Sequence, residues 1–338
     1  MRTHPQNNRV SPIRGYAHFL FRIGMLMVSF SAAAGQSQHW RISLDSGLLF
    51  APLDDLNRIA GHGHRLQELQ FDRFLDYLQS IGKIRSWSGS GDDRPERAGP
   101  TWPLTLSIQY RLTRRFSISF TLAHLRAGRS RRLDLQYERV LNESITQRET
   151  LTYSPFSLTA TAWVPKLAIQ WRIPLGPGTN LEPSLAAGPL FAACHWLQNW
   201  DYSWDFVYTS QGQVNPYLLY SSSGSLEMKG TGLGLDMSAD IRLTREISER
   251  VGFFLGIAYG FRRVNGISGS GREVRDGQIR EWRGRWGMRQ TTFTAPWGSL
   301  EEEVPSNDWT DSDSDQPARD FILDFSGFSL QGGLFFRF

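Results

Sequence analysis

An all-β fold, an eight-stranded antiparallel up-and-down barrel, is predicted by three features of this sequence. Apolar residues recur with a period of two through eight separate segments, the connections between those segments alternate short and long, and charges recur among the polar positions. Successive side chains of a strand point to opposite faces, so each segment carries one greasy and one wet face. The chain has 338 residues, 40% hydrophobic and 21% charged, with a mean hydropathy of −0.37. No stretch approaches the ~18 apolar residues of a membrane-spanning helix. Alternating strands average to a modest hydropathy even when they cross a bilayer, so the composition does not exclude a transmembrane β-barrel.

The first segment is of another kind. Arg2, Arg9, Arg14 and Arg22 precede the short apolar run Ile23 to Phe30, and Ser31-Ala32-Ala33-Ala34-Gly35 supplies small residues of the A-x-A type. This is the pattern of an export signal, with cleavage expected after Ala34 and a mature domain over 35–338. The four arginines account for the whole formal charge of +4. The sequence pI of about 9.3 is therefore an export feature, and nucleic-acid binding is not expected. Cys194 is the single cysteine, which excludes an intramolecular disulfide and leaves an inert buried thiol as the expectation.

The strands follow in order. In Trp40 to Phe50 the even positions are mostly apolar. Trp102, Leu104, Leu106, Ile108 and Tyr110 alternate with Thr105, Ser107, Gln109 and Arg111; Phe116 to Leu122 alternate with Ser117, Ser119 and Thr121. Leu167 to Ile173 alternate with Ala168, Gln170 and Arg172, and Leu181, Leu185, Ala187 and Phe191 oppose Glu182, Ser184 and Gly188. Leu233 to Ile241 oppose Gly232, Gly234, Asp236, Ser238 and Asp240, Val251 to Phe261 oppose Gly252, Gly256, Gly260 and Arg262, and Phe328 to Phe338 oppose Ser329, Gln331, Gly333 and Arg337. A soluble sandwich would also alternate. The connections argue otherwise: Thr113 to Arg115, Pro174 to Asn180 and Leu243 to Arg250 are tight, whereas 51–101, 128–156, 197–230 and 263–320 are long. Transmembrane barrels have short turns on one side and long extracellular loops on the other.

The last strand carries the most specific motif. Gln331, Gly333, Phe336 and the final Phe338 resemble the C-terminal signal read by the barrel-assembly machinery. With Gly230-Thr-Gly-Leu-Gly-Leu-Asp236 and the Val251 to Arg262 strand, the chain resembles the small outer-membrane β-barrel superfamily of the OmpA, OmpX and OmpW type. That resemblance covers the strands from about Trp40 to Phe338 and leaves the loops unmatched. It implies residence in a bacterial outer membrane, with outer-membrane lipid, lipopolysaccharide and the assembly machinery as partners; it does not select a function.

An eight-stranded barrel is narrow enough to be filled by side chains. Asp45, Arg111, Arg172, Glu182, Asp236, Asp240 and Arg262 are the candidate lumenal charge network, read as a paired plug rather than a path because unpaired charges there are costly. In the first loop Leu66, Leu69, Phe74, Leu78 and Ile81 recur at helical spacing, predicting a short amphipathic helix over about 66–81. It would lie over the rim or act as a lid. Gly61-His62-Gly63-His64 has two imidazoles without further ligands at metal spacing, and Asp311-Ser-Asp313-Ser-Asp315 lacks the glycine and closing glutamate of a calcium loop. In the fourth loop Arg272, Arg275, Arg280, Arg283, Arg285 and Arg289 precede Glu301-Glu302-Glu303 and Asp308. The two arms could pair across a hairpin, or the arginines could contact phosphates.

No catalytic, cofactor or metal residues are assigned. His39, His64, His124 and His195 are followed two residues on by Arg, Leu, Arg and Leu, not by the serine of an outer-membrane lipid deacylase. Asp54-Asp55 and Asp92-Asp93 lack the aspartate and histidine partners of an outer-membrane protease. The expectation is a non-enzymatic barrel serving envelope structure or surface contact through its loops. The alternative is a narrow channel or carrier for small or lipophilic solutes.

Overall fold

Each alternating segment finds an antiparallel neighbour in register, and the period of two carries further along the chain than its apolar residues alone mark. The structure, a computed structural model, describes residues 40–53, 55–58, 73–95, 101–142, 145–210, 213–295, 298–307 and 319–338. The expected export segment 1–34, Gly61-His62-Gly63-His64, Leu66, Leu69, Asp308 and Asp311 to Asp315 lie outside the described residues.

One sheet of fifteen strands dominates. In chain order it comprises β1 (Trp40–Phe50), β2 (Ser86–Pro95), β3 (Leu104–Arg111), β4 (Phe116–Asn142), β5 (Ile145–Trp171), β6 (Ile173–Gly176), β7 (Thr179–Ser210) and β8 (Gln213–Glu246). Then follow β9 (Val251–Asn265), β10 (Ser268–Arg275), β11 (Gln278–Ala295), β12 (Gly298–Asn307), β13 (Arg319–Asp320), β14 (Ile322–Asp324) and β15 (Gly327–Arg337). A helix, α1 (Arg73–Ser80), precedes β2. The ladder runs β1, β3, β4, β5, β7, β8, β9, β15 and back to β1, with every pairing antiparallel. The remaining strands extend or flank this circuit.

Several expectations change. The segments 128–156 and 197–230 are not loops: β4 and β5 continue as a hairpin to Asn142 and Ile145, and β7 and β8 to Ser210 and Gln213. These stretches carry six tyrosines and two tryptophans, aromatic residues that favour extended backbone. Their apolar period fades, but the pairing does not depend on it. Within 51–101, β2 pairs with the outer part of β4. Of the expected helix, 73–80 lies within the described residues; it buries Leu75 and leaves Phe74 and Leu78 half-buried, and Ile81 just past its end is exposed. In 263–320, β10 continues β9 along β8 and returns as β11. Charge pairing occurs there, Arg272 opposite Glu281 and Glu273 opposite Arg280, whereas Glu301, Glu302 and Glu303 oppose Thr292, Thr291 and Gln290 rather than arginines.

The two faces of the circuit are inverted relative to a water-soluble sheet. Outward positions on all eight strands are large, apolar and exposed, among them Trp40, Ile108, Phe120, Leu167, Leu185, Met237, Ile257 and Leu330. Inward positions beside them are polar and buried, including Ser43, Asp45, Ser107, Thr121, Gln170, Glu182, Asp236, Arg262 and Ser329. Further along the same strands the preference reverses. Past Phe191, β7 turns Ala192, Cys194 and Trp196 inward and His195 outward; past Leu233, β8 turns Met228 inward and Lys229 outward.

Candidate functional site

The enclosed interior has two tiers. The lower tier, bounded by the tight turns, is a set of ion pairs built by inward positions of β1, β5, β7, β8, β9 and β15, with Arg172 just past the end of β5. Arg41 on β1 meets Glu182 on β7 with two contacts of 2.9 and 2.8 Å, and Gln170 donates to the same carboxylate at 2.8 Å while accepting from Gln109. Nearer the turns, Glu246 takes Arg172 at 2.6 Å and Arg337 at 2.7 Å. Arg262 lies 2.5 Å from Asp236, which also faces Lys166 at 3.6 Å; Lys166 donates to Ser238 at 2.9 Å. Arg242 lies 3.2 Å from Asp240. Guanidinium groups also stack on inward rings, Arg41 over Phe335 at 4.5 Å and Arg242 over Phe254 at 4.9 Å, where the cation gains from the ring quadrupole.

Of the seven candidate lumenal charges, only Asp236 and Arg262 pair with one another. Asp45 is buried opposite Thr105, and Arg111 makes no ion pair among the described residues. Glu182, Arg172 and Asp240 instead meet Arg41, Glu246 and Arg242, which with Lys166 were not among the candidates; Arg337, an inward charge by its period in the last strand, shares Glu246. A signal for them existed. Counting by two back from Gln170 reaches Lys166, and counting on from Asp240 reaches Arg242 and Glu246; the reading stopped where Pro165, a usual strand breaker, and the turn began.

The upper tier is apolar and comes from segments far apart in sequence. Leu125, Leu158, Leu190 and Val264 line the wall, and Leu53, Leu56, Ile267, Trp286, Met288, Phe321 and Phe325 fill the space between them. Trp286 and Phe321 meet edge to face, with centroids 5.8 Å apart. The glycines of Gly230-Thr-Gly232 face this plug: a Cβ at Gly230 would lie 2.6 Å from Ile267 and 3.1 Å from Trp286, and one at Gly232 would lie 2.6 Å from Val264. The mouth is fastened by Asp55, buried on a helical turn at 55–58, which accepts 2.8 and 2.7 Å hydrogen bonds from Arg319 and a 2.8 Å bond from the backbone of Ile322. Cys194 sits in this tier, where burial pushes its thiol up to about 12.

On β15, Gln331 and Gly333 face inward and Phe336 outward. A Cβ at Gly333 would lie 2.8 Å from both Asp45 and Phe254, so glycine lets β15 approach β1 where the ladder returns to its start. Phe338 bonds through its backbone to Trp40 at 2.9 Å. Among the described residues no cluster of metal-ligating side chains occurs.

No family model matches the chain, and no curated protein matches it. Among solved structures it is similar to the translocator domain of autotransporter NalP from Neisseria meningitidis, at 10% identity over 96% of this chain and 98% of that one, with a TM-score of 0.17. It is also similar to a bacterial polysaccharide outer membrane secretin, at 9% identity over 89% and 99% of the two chains, with a TM-score of 0.15. The outer membrane transporter YddB from Escherichia coli follows at 7% identity over 89% and 81%, with a TM-score of 0.10. TM-scores this low align no common fold, so the chain's character rests on its own geometry.

Proposed function

We propose that the chain is an integral outer-membrane protein, an eight-stranded transmembrane barrel of the small outer-membrane type. On this reading it is non-enzymatic and serves envelope structure or surface contact through its outward hairpins. The observation that carries the reading is the reversal of face preference along single strands. Apolar side chains point outward over Leu233 to Leu243 of β8 and over Phe253 to Phe261 of β9, about the 9–11 residues that a tilted strand needs to cross a bilayer. An exposed apolar belt on all eight strands is far larger than the patches soluble proteins tolerate. Beyond the belt, where polar residues point out, the interior becomes an ordinary apolar core.

The filled interior supports a structural role over a passage. The hairpins support surface contact: β7 continues from Ala193 to Ser210, at ~3.3 Å per residue a strand length of roughly 60 Å past the belt. A second reading, a narrow channel or carrier, is favoured by one observation. Asp45 Oδ2 and Asp236 Oδ1 are buried with no hydrogen-bond partner in the protein, as in a lumen that water enters from the lower end. Single-channel recording of residues 35–338 in a planar bilayer, after alkaline extraction has established insertion, tests the two. A silent, inserted chain is expected. Discrete steps altered by Asp236→Asn would establish the channel and displace the plug.

A further inference from the structure

We propose that the outer surface of β4, β5, β7, β8, β10 and β11, just beyond the apolar belt, binds the phosphate-bearing headgroup of a lipid in the outward leaflet. This rests on the membrane-spanning reading above. His195, Lys229, Ser270 and Arg283 are successive cross-strand partners on β7, β8, β10 and β11. Arg126 and Thr161 pair with one another one step nearer the belt. Together they line a concavity of about 840 Å³, large enough for a headgroup with several polar groups and well beyond a single anion.

Its position sets the ligand class. The next outward positions toward the belt are His124, Trp163, Phe191 and Leu233, themselves cross-strand partners, and the His124 and Trp163 rings lie 4.6 Å apart. A molecule seated here has an apolar wall against its chains and cations against its head. A free anion would use only the second half.

The charge balance is positive. Among the described residues neither Arg126 nor Arg283 has a carboxylate partner. Among the described residues no acid lines the concavity; Glu227, the next outward residue on β8, lies 2.7 Å from Lys229 and 2.9 Å from His195, those hydrogen bonds, Lys229's first, hold its carboxyl below the ordinary range, and Glu281 beyond it is paired with Arg272 at 3.6 Å. Glu227 therefore stays ionised and orients two donors, while Arg126, Lys229 and Arg283 outnumber it. Arginine offers forked donors suited to phosphate oxygens, and the serine and threonine hydroxyls add further donors.

The test uses the full chain in phosphatidylcholine micelles, titrated with phosphatidic acid and read by native mass spectrometry. One retained phosphatidic acid is expected. A basic group near an anionic lipid surface contributes roughly fivefold, so R126Q/K229Q/R283Q should weaken retention about a hundredfold. The control R114Q/R115Q/R250Q removes three exposed arginines from the turns at the other end of the strands and should leave retention unchanged. Equal loss in both variants, equal retention of phosphatidylcholine, or displacement by inorganic phosphate at matching concentration would each overturn the site. Flotation with vesicles separates the two levels: a chain that fails to float overturns the membrane reading and this site with it, whereas one that floats without preference overturns the site alone.

Discussion

Ile257 is the middle of the outward row on β9, flanked across the ladder by Ile241 on β8 and Leu330 on β15. All three are about half exposed. If that face meets lipid, Ile257→Arg puts a guanidinium near the bilayer midplane, at a cost of about 2–4 kcal/mol. That is roughly a 30- to 900-fold shift in the folding equilibrium. Thr231→Arg, on the same face of β8 but beyond the belt, should cost only ~0–1 kcal/mol. The adjacent inward position Gly256 is no fair control, because a Cβ there would lie 2.9 Å from the Ile241 carbonyl oxygen and strain the strand in any solvent. Both variants would be refolded from urea into phosphatidylcholine vesicles, and the folded fraction read by heat-dependent gel mobility and by urea titration. If Ile257→Arg is as stable as Thr231→Arg, or if the chain folds to the same circular dichroism in buffer without lipid, the belt faces water and the membrane reading fails.

Three further outcomes follow from the interior. Asp236→Asn leaves Arg262 and Lys166 buried without their shared carboxylate and should destabilise the folded chain by about 3–5 kcal/mol in the same titration; a loss under 1 kcal/mol would mean that water already solvates the pair. Asp55→Asn weakens the bonds from Arg319 and Ile322 by roughly 1.5–3 kcal/mol and should raise hydrogen exchange at 51–58 and 319–325 while β9 and β15 stay protected; uniform acceleration would show that the mouth is not a separate latch. Cys194, with its thiol pushed from 9.0 to about 12, should react with maleimide at pH 8 about a thousandfold more slowly than an open cysteine. Fast labelling would show that the upper tier opens.

The belt was legible in the sequence because its code is local. In Val251 to Phe261 every second residue is large and apolar, and the structure turns those residues outward. The ends of strands were less legible. Lys166 follows Pro165, and Arg242 and Glu246 approach a turn, so the polar period was cut before its partners were reached. The upper tier was not legible at all. Leu53, Leu56, Trp286, Met288, Phe321 and Phe325 come from three separated segments with no shared period, and only the closed ladder brings them to one place. The long hairpins were missed for a related reason: a strand surrounded by water on its outer face needs no apolar period there, so β7 and β8 lose the signal while staying paired, through one bulge at Trp204/Asp205, to Ser210 and Gln213.

The reversal along β7 and β8 also explains why the two tiers differ in chemistry. Where outward side chains are apolar, the interior holds Glu182, Asp236, Arg242 and Arg262; on the membrane-spanning reading the outer face offers these groups no polar solvent, so they pair with one another. Where outward side chains are His195, Glu227 and Lys229, water supports the wall from outside, and the interior can be closed by hydrophobic burial alone. A water-soluble sheet would gain nothing from changing sides midway along a strand. On the membrane-spanning reading, two solvents stacked along the strand axis account for the change, with the boundary between Leu233 and Thr231 on β8 and between Phe191 and Ala193 on β7, the same step at which the basic concavity begins.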